Sequence, residues 1–436
     1  MLLLYFQLYR GYKDKKTSNF KLQTPNFFCN FTPKLEQMKV LHTSDWHIGQ
    51  IFHNYSREEE HKYFFEQLKS IIIKEKPDVL VVSGDVFHTA TPTIVSQRLY
   101  YNFIVELSRL DADLQIVITS GNHDSPSRLE APRPLWEAFN VSVVGMLDYQ
   151  IVSDDSELNF DASKIEIPIT RKGEIIGWVL AVPYLNGNAN IYEPLINHLK
   201  KRSEYADNQC VVAMGHLAVR SADITGHSPD IIGKLETLDI QDFTNVTDVD
   251  YWAFGHIHFP QTIKGMQNMR YAGSPFPISF NENYEHSVVS VIIEDGKTET
   301  TVIPLKTLIP IVDFPSKPKG FDDALPFETV LMQLFDILDQ KAYVRVHIQA
   351  EKPLTQTESA EMVQAFEGHE AMFCGIQSYF QEVTESNDIQ AVKTLSELKE
   401  LSPFELGCSV YQKKYDKEMP DEMKKMFKEV CEEAEK

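Results

Sequence analysis

Five short segments of this chain each set a potential metal ligand just beyond a run of β-branched or other apolar residues. They are Ser44-Asp45-Trp46-His47, Gly84-Asp85-Val86-Phe87-His88, Gly121-Asn122-His123-Asp124, Gly215-His216 and Gly255-His256-Ile257-His258. Together they offer at least two Asp, one Asn and up to six His, enough donors for two adjacent metal ions. A two-metal site needs a carboxylate that bridges ions held about 3.5–4 Å apart, and such a pair hydrolyses phosphate esters. Asp85 is the best candidate bridge, because it follows an apolar strand and a glycine. Neutral imidazoles and an amide oxygen complete the donor set without cancelling the Lewis acidity of the ions. Mixed N/O ligation suits manganese, iron or zinc better than magnesium, which prefers oxygen donors and water. Each segment alone has a plainer reading: Asp-x-His as a surface pair, Gly-Asn-His-Asp as a turn, Gly-His-x-His as a strand end. Their recurrence in order, each after an apolar run, selects metal chemistry.

The elements that must position these residues alternate short apolar strands with helical stretches from residue 39 to about 300, the pattern of an α/β fold. Strands ending at Ser83, Thr119, Met214 and Phe254 run straight into the polar motifs. In open α/β sheets ligands collect at the carboxyl ends of strands, so the motifs are expected to converge on one edge. Ser56 with Glu59 reads as a capping box opening a helix, with Phe64, Leu68, Ile71 and Ile72 at helical spacing. Two hairpin-like pairs, 165–170 with 175–182 and 287–293 with 298–304, suggest a second sheet. Pro315, Pro318 and Gly320 mark a linker-like stretch. Beyond it a helix near 326–339, a strand 343–349, a second helix near 355–366 and a strand near 372–379 read as a small α+β cap. Four segments are therefore expected: an extension over 1–37 ahead of a native start at Met38, a catalytic domain over 38–307, the cap over 308–383, and a helical tail over 384–436. That tail carries Met419, Met423, Phe427, Val430 and Ala434 along one face.

The formal net charge is -21. Proteins that grip phosphate backbones unaided carry basic patches, so this balance argues against tight nucleic-acid binding by the chain alone. A metal centre or a partner supplying basic surface would relieve that objection. Five scattered cysteines without a CxxC read as free thiols in a reducing cytoplasm. No apolar stretch approaches the roughly 20 residues of a membrane span. Outside the five motifs, His42 is expected within the first strand, and His61, His198, His227, His286, His347 and His369 as structural or solvated. His53 lies in a loop that could face substrate.

The ordered set Asp-x-His, Gly-Asp-x-x-His, Gly-Asn-His-Asp, Gly-His and Gly-His-x-His resembles the calcineurin-like metallophosphoesterases. More narrowly, the chain is similar to SbcD-type nuclease subunits over about 38–436. The narrower likeness rests on His42-Thr43-Ser44-Asp45-Trp46-His47-Ile48-Gly49, on Ser56-Arg57-x-x-Glu60, on Gly121-Asn122-His123-Asp124-Ser125, and on Tyr271-Ala272-Gly273-Ser274-Pro275. The resemblance implies a β-sandwich flanked by helices, with the cap and tail appended. It implies two ions, most often manganese, one held by Asp45, His47, Asp85 and His258 and the other by Asp85, Asn122, His216 and His256. It also implies His123 as the general acid, with Asp124 orienting it, and His88 facing the phosphate; some bacterial members have Asp where this chain has His88. Ser274 is a weaker candidate for the substrate rim. The implied activity is hydrolysis of DNA phosphodiester bonds at ends and hairpins, as a 3'-5' double-strand exonuclease and single-strand endonuclease. The implied partner is an SbcC-type ATPase docked on the tail, with two such subunits in a heterotetramer. A phosphoprotein phosphatase would carry Asp-Arg-Gly where this chain has His88-Thr89-Ala90. A nucleotide or small-molecule phosphodiesterase on the same scaffold, and a non-catalytic DNA-end scaffold, stay open as alternatives.

Overall fold

Strands rich in Val and Ile without polar alternation are stable only when both faces are covered, and the computed structural model has that arrangement. It describes residues 37–381, apart from 112, 148, 152–157, 186–194, 196–208, 227–236, 245 and 247–248, together with 411, 417, 419–420 and 423–428. In chain order the principal strands are β1 (Met38–Thr43), β2 (Val79–Ser83), β3 (Gln115–Thr119) and β4 (Val141–Val144). There follow β5 (Glu166–Arg171), β6 (Glu174–Ala181), β7 (Cys210–His216), β8 (Tyr251–Gly255) and β9 (Met269–Tyr271). A hairpin of β10 (Ser287–Glu294) and β11 (Lys297–Pro304) completes the set.

These strands make two six-stranded sheets. The first runs β11-β10-β1-β2-β3-β4, with β1 to β4 parallel. The second runs from an edge strand Gln261–Thr262 through β9-β8-β7-β6-β5, parallel from β6 to β9. The β5–β6 hairpin falls in the second sheet as expected. The β10–β11 hairpin does not: it pairs with β1 and extends the first sheet. Its alternating pattern marks an antiparallel pair but cannot say which sheet edge receives it.

Val79 and Val81 of β2 join Val179, Val212 and Ala213 in the core between the sheets. Leu80 and Val82, one residue out of phase, face the opposite way onto helices α1 (Glu58–Glu75) and α2 (Ile94–Leu110). Phe64, Phe65, Leu68 and Ile72 of α1 and Phe103, Ile104 and Leu107 of α2 fill that outer layer. Trp46, fully buried, stands edge-on to Phe64, Phe65 and Phe103.

The capping box expected at Ser56 and Glu59 is absent. Arg57 occupies the N-cap with no side-chain cap bond, and Glu59 pairs instead with Lys62. The reason lies in Arg57, whose side chain is fully buried and accompanies Glu60 inward. Three glutamates in the first turn, Glu58, Glu59 and Glu60, favour the helix start electrostatically.

Beyond residue 308 lie β12 (Ile311–Phe314), α3 (Phe327–Gln333), β13 (Tyr343–Ala350), α4 (Gln356–Ala365) and β14 (Met372–Phe380). The helix expected over 326–339 is shorter, because 3-10 geometry takes over at Leu334–Asp336. The strand order β12-β13-β14 forms a three-stranded sheet with its own core of Val330, Leu334, Val344, Val346, Ile348 and Met362. Tyr343 also packs with Phe52, Ile309 and Cys374 in a smaller cluster. The chain divides into one unit through Tyr379 and another from Phe380 onward. In the second, residues 423–428 are helical, whereas Val430 and Ala434 of the predicted apolar face lie outside the described residues, as do 1–36. Among the described residues no helix is long and apolar enough to cross a membrane.

Candidate metal centre

The loops after β1 and β2 are bonded to each other. Asp45 N–H donates to the Gly84 carbonyl (3.1 Å), His47 N–H to Asp85 (3.0 Å) and Ile48 N–H to Val86 (2.9 Å). Four would-be ligands sit in left-handed backbone: Asp45 (φ 52°), His47 (φ 47°), Asp85 (φ 49°) and His256 (φ 92°). Such conformations are unfavourable for side-chain-bearing residues and cluster at functional sites. The glycines leave the room these turns need. A Cβ on Gly84 would collide with the His216 ring, and one on Gly121 with the Asp85 carboxylate.

All seven expected ligands come together, drawn from the ends of strands in both sheets rather than from one sheet edge. Asp85 is central: its Oδ2 lies 3.5 Å from His47 Nε2 and 3.5 Å from His216 Nε2. On one side His47 Nε2 faces His258 Nε2 at 3.3 Å. On the other, Asn122 Oδ1 lies 3.0 Å from His216 Nε2 and 2.9 Å from His256 Nδ1. Asp45 accepts the Ser44 hydroxyl (2.6 Å) and the His256 backbone N–H (3.0 Å). The possible ligand atoms of Asp45, His47 and His258, and those of Asp45, Asp85 and His216, each fall within 4.8 Å of one another.

The electrostatics of this cluster call for positive charge. Asp45 and Asp85 are buried, and among the described residues neither pairs with Lys or Arg. Burial raises the Asp45 carboxyl against the pull of His216 and His258. Burial also pushes Asp85 up, but His216, His47 and His123 hold it well below the usual carboxylate range. Burial would lower His216, yet Asp85 and Asp45 raise it to about 9. His47 goes the other way, burial holding it well below its ordinary value and hence neutral, as a ligand must be. Imidazole nitrogens held 3.3 Å from one another beside two buried carboxylates that have no Lys or Arg partner among the described residues fit two divalent cations.

The surrounding hydrogen bonds fix ring orientation. His216 Nδ1 contacts the Ser83 carbonyl at 2.9 Å, turning Nε2 toward Asp85. His258 Nδ1 contacts Glu282 Oε1 at 3.1 Å. Glu282, buried, also accepts Ser274 Oγ (3.1 Å) and the Ile278 N–H (3.1 Å). Ser274 is thus fully buried behind the ligands, not on the substrate rim. Glu282 was not legible in the sequence: it lies 24 residues beyond His258 in a stretch with no periodicity, and nothing there announces a buried carboxylate.

His123 and His88 occupy the open side. His123 Nδ1 contacts the His88 carbonyl at 2.9 Å, and the two rings stack with centroids 5.6 Å apart. His88 Nδ1 lies 3.3 Å from His47 Nδ1. Asp124 is placed otherwise than as an orienting partner of His123. Its carboxylate accepts backbone N–H groups of Gly121 (2.8 Å), Phe87 (2.8 Å) and Val86 (3.1 Å), stitching two motif loops together. Burial and the Asp85 charge raise it to about 7 despite those three donors. The partnership that the resemblance implied is not formed, because the turn directs the Asp124 carboxylate onto backbone N–H groups. Of the other histidines, His42 and His61 are buried and hydrogen-bonded, while His198 and His227 lie outside the described residues.

Comparison with known proteins agrees with this geometry. Residues 38–260 match the family described as calcineurin-like phosphoesterase. The chain is 33% identical over 306 residues to SbcD, the nuclease component of SbcCD, from Rhodobacter capsulatus, covering 64% of this chain and 72% of that one. It is 33% identical over 276 residues to the SbcD of Escherichia coli K12, covering 60% and 67%. Against the SbcD of Bacillus subtilis the identity is 27% over 405 residues, covering 90% and 98%. With its strand-end donors gathered around Asp85 and these relatives beside it, the chain belongs to the calcineurin-like phosphoesterases, as an SbcD-type nuclease subunit with a binuclear metal site.

Proposed function

We propose that this chain cuts DNA phosphodiester bonds at ends and hairpins as the nuclease subunit of an SbcCD-like complex. In this reading it acts in the cytoplasm in DNA repair, recombination and replication, as a 3'-5' double-strand exonuclease and single-strand endonuclease. Asp45, His47, Asp85 and His258 hold one ion and Asp85, Asn122, His216 and His256 the other, with manganese in both places. The observation that carries the reading is Asp85 Oδ2, equidistant at 3.5 Å from His47 Nε2 and His216 Nε2 at the junction of the two donor groups.

Bound divalent ions supply Lewis acidity, activating water and stabilising charge on the phosphoryl and departing oxygens. The protein supplies the rest. Contact with the His88 carbonyl keeps the proton on His123 Nδ1, since a carbonyl can only accept, and aims Nε2 into the open side. When protonated, His123 delivers the Nε2 proton to the leaving oxygen as general acid. His88, stacked on that ring, faces the phosphate. Asp124 acts indirectly by fixing the loops that carry His88 and His123. The tail over 384–436 docks on an SbcC-type ATPase by laying an apolar helix face in a groove, and two such subunits enter a heterotetramer. That partner supplies the basic surface that a chain of net charge -21 lacks.

The test is cleavage of end-labelled duplex and hairpin DNA in manganese, with and without the ATPase partner. Shortening of the duplex and opening of the hairpin are expected. A metal-loaded protein that cuts neither substrate, even with its partner, overturns the proposal.

A further inference from the structure

Past the ligand His47 the chain turns through Gln50, Ile51, Phe52 and His53, and this turn faces Ile278–Asn281 and Arg345 across an open groove of about 400 Å³. Both segments that line the groove run on in sequence from residues of the metal centre. Gln50 lies three residues after His47, and Asn281 directly precedes Glu282, which holds His258. Its floor is aromatic: Phe52 and Phe280 stack with centroids 5.4 Å apart, and His53 stands edge-on to both, at 4.8 and 5.4 Å. The Arg345 guanidinium lies 4.4 Å above the Phe280 ring. Ile51 is 59% exposed, and His53 and Asn281 are exposed beside it.

We infer that this groove is a nucleobase subsite, taking one unpaired base of the strand whose phosphodiester lies at the metal centre. The inference rests on the nuclease reading above and adds a part of the substrate to it. A base fits better than a phosphate because the groove offers the planes of the His53 imidazole and the Arg345 guanidinium, an exposed apolar side chain and an amide, but little uncompensated charge. The Arg345 guanidinium is clasped by both Asp313 oxygens, at 2.7 and 3.2 Å. Burial and the nearby Arg345 hold the His53 imidazole below its ordinary value, which favours a neutral ring. A guanidinium plane and an imidazole are sequence-tolerant partners for a stacked base, and the exposed Asn281 amide can pair with a base edge. Bases inside a duplex have their faces covered by neighbours. Occupancy therefore requires a frayed end, a hairpin loop or a single strand.

The experiment uses the full-length chain in manganese, with its ATPase partner where cleavage needs it. The substrates are single-stranded oligonucleotides in which one nucleotide at a time, on either side of the cut, is replaced by a base-free tetrahydrofuran residue. Loss of a base at one fixed position should lower kcat/KM by about tenfold in the wild-type protein, the scale of one stacked base. His53→Gly, chosen because φ 46° at this position suits glycine, and Asn281→Ala should each shrink that difference. Equal cleavage of base-bearing and base-free strands by the wild type would overturn the subsite, with no dependence on how any variant folds. So would variants that keep the full preference. If no strand is cut at all, the nuclease reading fails first and the subsite with it.

Discussion

At the scale of single residues, chemistry is divided between groups that hold charge and groups that hold those groups in place. His123 belongs to the first kind, and its backbone N–H donates to Asp85 Oδ1 at 2.9 Å, but the partner of its ring Nδ1 is the His88 carbonyl. Replacing His123 by Asn should leave metal content unchanged and lower cleavage by about 10²–10⁴-fold, the usual contribution of a general acid. Parallel metal analysis and kinetics check it, and a variant that loses metal along with activity would instead make His123 a ligand. Glu282 belongs to the second kind. Glu282→Gln removes the charge beside His258 Nδ1 and should weaken metal affinity by about 10–100-fold, read as a shifted manganese titration. The candidate ligands were legible because Asp, Asn and His recur immediately after apolar strands. Glu282, the buried place of Ser274 and the loop-stitching role of Asp124 were not. Each depends on which backbone donors face a side chain, and left-handed turns at residues such as Asp45 and Asp85 leave no mark in residue type.

At the scale of elements, strand identity and order of appearance were readable from unbroken apolar runs, whereas the partition into two sheets was not. The start of α1 shows why a local motif can mislead. Ser56 and Glu59 satisfy the capping pattern, yet burial of Arg57 with Glu60 decides the geometry. The Arg57 guanidinium lies about 5 Å from the rings of Phe52, Phe276 and Tyr343. Glu60 accepts Arg57 Nε at 2.7 Å and the Tyr343 hydroxyl at 2.8 Å, so this pair ties α1 to β13 of the cap. Removing one partner of a buried ion pair leaves the other uncompensated, at about 3–5 kcal/mol. Glu60→Gln should lower unfolding stability by an amount of that order in denaturant titration. A loss under about 0.5 kcal/mol, the range of ordinary surface changes, would mean that the pair is not sealed from water.

At the scale of the whole molecule, a chain with net charge -21 carries a site suited to a polyanion. Only local positive charge or a partner reconciles the two. The metal centre answers locally, and the proposed ATPase partner answers globally. Deleting residues 384–436 should abolish co-purification with that partner while sparing hydrolysis of a small phosphodiester; a complex that survives the deletion places docking elsewhere. The most direct test of the central claim, that Asp85 joins two ions in one centre, is the manganese content of wild-type and Asp85→Ala protein measured alongside cleavage. Two ions per wild-type chain, and loss of both metal and cleavage in Asp85→Ala, are the predicted results. An Asp85→Ala protein that keeps two ions and full activity would contradict it.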